Sequence, residues 1–170
     1  YVPGPFRNQF GDWSNDSKWI SYTKVTETQF KRAYLYSIDQ QKSFPLTDGL
    51  SDVSDPVFER SGKYVFFFAS TDAGPVINWF DQSNNDMRST QSIYLVTLQK
   101  ETVSPFAKES DEEPVSADSD TTKKKEAATE KKATGLTIDW EGITNRIIDL
   151  PVKPGNYVQL GVGKDNELFF

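Results

Sequence analysis

Cysteine and histidine are both absent from these 170 residues. Without cysteine there can be no disulfide and no thiolate zinc site, although the compartment stays open. The missing histidine excludes more. A Ser-His-Asp triad, an imidazole general base and a His-ligated metal cannot be assembled from this chain alone. No G-x-S-x-G elbow and no G-x-x-x-x-G-K-[ST] phosphate loop occur, and no motif calls for a cofactor. Long apolar runs are lacking too. The best is Tyr64-Val65-Phe66-Phe67-Phe68-Ala69, far short of the roughly 20 residues of a membrane-spanning helix. Basic residues are in deficit, and a net charge of −6 argues against nucleic acid, whose phosphates need clustered Lys and Arg. No signal peptide is visible. The chain begins at Tyr1 without an initiator Met and stops inside an aromatic run, which reads as a piece of a larger polypeptide with a strand edge open at each end.

Aromatics are what the chain does have: 14% of residues, mostly Phe and Tyr, a composition suited to sheets. They fall in a phrase that recurs. Trp13-Ser14-Asn15-Asp16-Ser17-Lys18-Trp19-Ile20-Ser21-Tyr22 returns as Phe58-Glu59-Arg60-Ser61-Gly62-Lys63-Tyr64-Val65-Phe66-Phe67. A weaker third copy runs from Leu160 to Phe170. Each copy reads as strand, tight polar turn, aromatic strand. A unit repeated about every 45 residues suggests a propeller blade. The expected fold class is therefore all-β: a partial β-propeller of about two to three four-stranded antiparallel blades, since a closed ring needs roughly four or more.

Strands are expected at Lys18–Thr23, Ala33–Ile38 and Ser43–Thr47, with Asp48–Asp52 crossing to the next blade. Pro56 is placed at a strand start, where it forfeits only one donor. Ser61-Gly62 turns into Lys63–Ser70, and Ser92–Leu98 follows a long loop over Asp72–Gln91. Lys63–Ala69 and Ile93–Leu98 are the most apolar strands and the expected centre of the core. Across 107–134 aromatics vanish and an acidic half precedes a basic half. Such a stretch cannot bury enough apolar surface to offset ordering entropy, and a solvated low-complexity insertion is expected. Asn145–Leu150 resumes as a strand, and Tyr157–Leu160 begins another blade. The blade boundaries fall near 12–47, 53–106 completed by 143–151, and 155–170.

The phrases WSNDSKWISY and FERSGKYVFFFAS resemble the repeat of TolB-type and tricorn-type propellers. The order of NWFDQSNNDMRSTQSIYLVTLQKETVSPFAKESDEE and TIDWEGITNRIIDLPVKPGNY narrows this. Together they are similar to the N-terminal propeller of bacterial tricorn protease homologues, over essentially the whole chain. The resemblance implies a large multidomain serine peptidase with propellers, a PDZ domain and a catalytic domain that carries Ser and His. It implies peptide substrates for the parent enzyme, partner domains on the same chain, and a cytoplasmic location, with export left open. An archaeal member is hexameric, so a homo-oligomer is a further implication. None of the family's catalytic residues maps onto this sequence. A TolB-like protein-binding scaffold without peptidase activity is the alternative from another class.

Several local features invite a functional reading. Trp79, Phe80 and Arg88 lie in the long loop, and aromatics with Arg suit peptide recognition; folding back over the blade is the plainer reading. Asp81–Asp86 alternates oxygen ligands, but Asp86 and Ser92 stand where an EF-hand wants Gly and Glu. Asp139 and Glu141 flank Trp140 and would share one face of a strand, yet a surface connection accounts for them. Ser17-Lys18 and Ser61-Gly62-Lys63 recur with the repeat, as turns do and a catalytic dyad has no reason to. The acidic-then-basic insertion could attract a charged partner, although a tolerated surface insertion is the plainer reading.

Overall fold

The computed structural model describes residues 8–70, 90–106 and 135–170. Its first sheet is a four-stranded antiparallel meander of β1 (Asn8–Trp13), β2 (Trp19–Val25), β3 (Lys31–Ser37) and β4 (Lys42–Pro45). Alternation in β2 and β3 sends Trp19, Ser21, Thr23, Ala33, Leu35 and Ser37 to one buried face. Cross-strand register aligns Trp19 with Ser37, Ser21 with Leu35 and Thr23 with Ala33. The opposite face carries Ile20, Tyr22, Tyr34 and Tyr36.

The second sheet repeats the plan in the order β5 (Asp52–Phe58), β6 (Tyr64–Ser70), β7 (Ser92–Thr97) and β8 (Ile147–Asp149). The short β8 lies within the Asn145–Leu150 segment and pairs antiparallel with β7, Ile148 opposite Leu95. Both faces of this sheet are buried, so β6 reads as an unbroken apolar run rather than an alternation. Val65, Phe67 and Ala69 pack toward the first sheet with Leu35, Leu46 and Val53. Phe66 and Phe68 point the other way, into a second core with Ile93, Leu95, Leu150 and Leu160. Complete burial of a Phe side chain stabilises by roughly 1.5–3 kcal/mol, which places the centre of the fold in β6.

The sheets approach closely where β1 meets β5. Any Cβ on Gly11 would collide with the Pro56 carbonyl oxygen, so only glycine fits. Ser21 Oγ donates to that same carbonyl at 2.5 Å and accepts from the Asp12 N–H at 2.8 Å. Pro56, expected at a strand start, lies inside β5 instead. It follows Asp55 (φ 47) in a register shift between Ser54 and Val57. A bulge leaves one residue unpaired, so proline's missing donor interrupts no ladder there.

A two-stranded hairpin, β9 (Gly161–Val162) and β10 (Leu168–Phe169), covers the far side of the second core. Tyr157–Leu160, expected to begin another blade, leads into the hairpin, whose pairing starts at Gly161. Gln159 has φ 62, outside the extended region of a regular strand, and Gly155 is instead bonded to Gln91 through both backbone groups, at 2.8 and 3.0 Å. Among the described residues there is no α-helix, only a 3-10 turn at Ile143–Arg146, and no helix long and apolar enough to cross a membrane.

Candidate functional site

The repeated phrases build two turns with one geometry. Ser14 N–H bonds the Trp19 carbonyl and Ser17 N–H bonds the Ser14 carbonyl, at 3.0 and 2.9 Å. Glu59 N–H bonds the Tyr64 carbonyl and Gly62 N–H the Glu59 carbonyl, both at 3.0 Å. Ser17 (φ 57) and Gly62 (φ 73) occupy the same left-handed position. Each turn also holds a hydroxyl–carboxylate pair two residues apart, with the roles exchanged. Ser14 Oγ donates to Asp16 Oδ1 at 2.6 Å, whereas Ser61 Oγ donates to Glu59 Oε2 at 2.5 Å.

These turns face one another across a groove of about 660 Å³, closed on a third side by Gly135, Leu136 and Thr137. Asn15 spans it, its amide donating to the Glu59 carbonyl at 3.4 Å and to that of Arg60. Asp16 is the junction. Beyond Ser14, it accepts the Lys18 N–H at 3.1 Å and the Leu136 N–H at 2.7 Å. Partial burial opposes the charged carboxylate. The donors from Ser14, Leu136 and Lys18, with the Lys18 charge, outweigh it and hold Asp16 below the ordinary aspartate range. Beside the groove, burial and then the Glu59 charge push the Tyr64 phenol up; its hydroxyl donates to the Val103 carbonyl at 3.0 Å.

This arrangement fixes sheets together. A serine nucleophile needs a proton acceptor, and Asp16 is a poor one: its pKa is depressed and its oxygens already accept three donors. Glu59 Oε2 is likewise committed to Ser61 and to the Lys63 N–H, at 2.5 and 3.3 Å. Among the described residues no cluster of three or more acidic side chains could hold a metal ion.

Trp79, Phe80, Arg88, the Asp81–Asp86 pattern and the insertion 107–134 all lie outside the described residues. Asp139 and Glu141 are described, and both engage Lys100. Asp139 Oδ2 accepts its N–H at 2.9 Å, and Glu141 Oε2 pairs with its Nζ at 2.6 Å. Trp140 turns inward from between them, 4.4 Å from the Phe44 ring and 5.7 Å from that of Trp19. Arg146 secures the segment from behind, donating to the Thr97 carbonyl at 3.1 Å, the Glu141 carbonyl at 2.9 Å and the Asp139 carbonyl. Sequence reading missed the Asp16–Leu136 junction and the Trp140 wedge. An isolated Trp immediately after a charged, aromatic-free stretch was the available signal for the latter.

No family model matches the chain. Among curated proteins it is similar to tricorn protease homolog 1 of Streptomyces coelicolor, 28% identical over 96% of this chain and 15% of that protein. Two further tricorn-like relatives, from Sulfurisphaera tokodaii and Streptomyces coelicolor, are 25% and 26% identical over 93% and 94% of this chain, covering 16% and 13% of their own lengths. Among solved structures, the tricorn protease crystal structure superposes on 89% of this chain and 14% of its own, with TM-score 0.54 and 16% identity. The chain thus spans about one seventh of the relatives it matches. By sequence over nearly its whole length, it is related to the tricorn protease homologues, and its four-stranded antiparallel sheets are propeller-like.

Proposed function

We propose that this chain is a noncatalytic propeller segment of a tricorn-like serine peptidase acting in the cytoplasm. Peptide bonds would be hydrolysed by a serine nucleophile in another domain, while these sheets hold domains in place and restrict or steer peptides toward it. The observation that carries the reading is the match to a tricorn protease homolog along 96% of the chain. Two features support the noncatalytic assignment: no histidine occurs, and the Ser14–Asp16 and Glu59–Ser61 pairs are spent on turns. On this reading Trp79, Phe80 and Arg88 contact passing peptides.

The test is expression of the complete open reading frame that contains these residues, assayed on fluorogenic oligopeptides. Hydrolysis abolished by a serine-directed inhibitor is expected, and a Trp79→Ala, Phe80→Ala, Arg88→Ala triple variant should alter KM with kcat little changed. A frame that encodes propeller sheets and no peptidase domain would overturn the reading in favour of a TolB-like binding scaffold.

A further inference from the structure

We propose that Lys164 is the third donor in a directional relay tying each strand-joining turn to the next, its ammonium serving main-chain carbonyls of a later turn in the same polypeptide. Three turns share one backbone plan. The Ser14 and Glu59 N–H groups each close a turn on the carbonyl five residues on, at 3.0 Å. The Gly163 N–H closes the third on the Glu167 carbonyl at 2.8 Å, one residue shorter. Three residues past each closing amide the backbone is left-handed: Ser17 at φ 57, Gly62 at φ 73 and Asn166 at φ 62. Asn15, Arg60 and Lys164, each one residue past the closing amide, are therefore equivalent.

The first two of these side chains do the same thing. The Asn15 amide donates to the Glu59 carbonyl at 3.4 Å and to that of Arg60. Arg60 donates from Nε to the Gly163 carbonyl at 3.4 Å and from Nη2 to that of Val162 at 3.3 Å. Each reaches two successive carbonyls at the following turn. One of the two always belongs to the residue whose N–H closes that turn, Glu59 or Gly163; the other lies on opposite sides of it in the two cases. Both ties run forward along the chain.

Asn, Arg and Lys differ in length and charge, yet each offers at least two N–H donors, and a carbonyl has two lone pairs to receive them. The Glu59 carbonyl uses both, accepting the Gly62 N–H at 3.0 Å as well as Asn15. Apolar contact between sheets is non-directional; a donor that reaches the neighbour's main chain adds a fixed register between consecutive turns. Because the acceptor is backbone, turns as different as Ser14–Ser17, Glu59–Gly62 and Gly163–Asn166 can share the device. Lys164 then needs a following turn of the same plan. This inference rests on the proposal that the chain belongs to a longer propeller-bearing protein, and relatives of which it spans 13–16% have the length to supply that turn.

The relay is tested in the complete polypeptide by hydrogen exchange, which reports local opening and is read peptide by peptide in a mass spectrometer. Asn15→Ala should speed exchange in the turn at 59–64, and Arg60→Met in that at 162–167. Lys164→Met should speed it in a turn beyond residue 170, each by about two- to tenfold, as loss of one net hydrogen bond allows. Arg60→Lys and Lys164→Arg, which keep donors at similar reach, should restore the parent rates. A later turn that is indifferent to Lys164→Met, or acceleration in the preceding turn instead, would overturn the relay while leaving the peptidase reading intact. A reading frame with no further turn of this plan would overturn the relay and the propeller membership together. Peptidase activity is not read, so the expected pattern in an inactive protein would refute the peptidase reading alone.

Discussion

Trp140 stacks on Phe44 at 4.4 Å and an interplanar angle of 16°, which joins the segment after the charged insertion to the outer strand of the first sheet. With Trp19 completing the cluster, three rings seal the rim of the first core. Aromatic pairs of this geometry contribute about 0.5–1.5 kcal/mol beyond the area they bury.

Replacing Trp140 by Ala should therefore cost about 3 kcal/mol, the lower end for Trp truncation because its indole is only partly buried. Urea denaturation followed by far-UV circular dichroism would measure it. Trp140→Phe should recover most of the loss. A change below about 0.5 kcal/mol, the range of ordinary surface substitutions, would mean the stack seals nothing.

Asp16 makes stability depend on pH in a predictable direction. Its folded pKa is depressed, so its contribution is fully present above the unfolded aspartate value of about 3.9 and is lost as pH falls through the lower folded value. Asp16→Asn should be less stable than the parent at neutral pH by about 1 kcal/mol, a figure kept small by solvent screening. The difference should shrink from about pH 5 downward. Denaturation midpoints for both proteins across that range would check it, and a constant difference would contradict the assigned role.

Gly11 tests the contact between sheets. A methyl group there meets the Pro56 carbonyl, backbone that cannot swing aside. Gly11→Ala should destabilise by about 1–3 kcal/mol, as overpacking does, whereas Gly161→Ala, where nothing lies within 4 Å, should be nearly neutral. Paired thermal melts of the two variants give the comparison directly.

Local pattern made much of this legible. Lys63–Ser70 and Ser92–Leu98 stand out as apolar runs between turn residues, and their observed counterparts are β6 and β7. The repeat also marks Ser17 and Gly62 as equivalent turn positions, and both are left-handed, with φ 57 and 73. β1 was harder to see, since Gly11 and Asp12 interrupt any alternation and its pairing with β2 carries a register shift. The groove was not legible at all. Asp16 and Leu136 are 120 residues apart, and Phe44 and Trp140 nearly as far, so no window of sequence contains both partners. Face assignment in β6 had a different obstacle: with both faces apolar, periodicity cannot say which core each Phe enters.

That the chemistry resides outside these residues is the claim to test first. The complete polypeptide would be treated with a serine-directed covalent probe until peptide hydrolysis stops, then digested and mapped by mass spectrometry. The label is predicted on a serine outside residues 1–170. A stoichiometric label on Ser14, Ser61 or any other serine of this chain, in step with loss of activity, would contradict it.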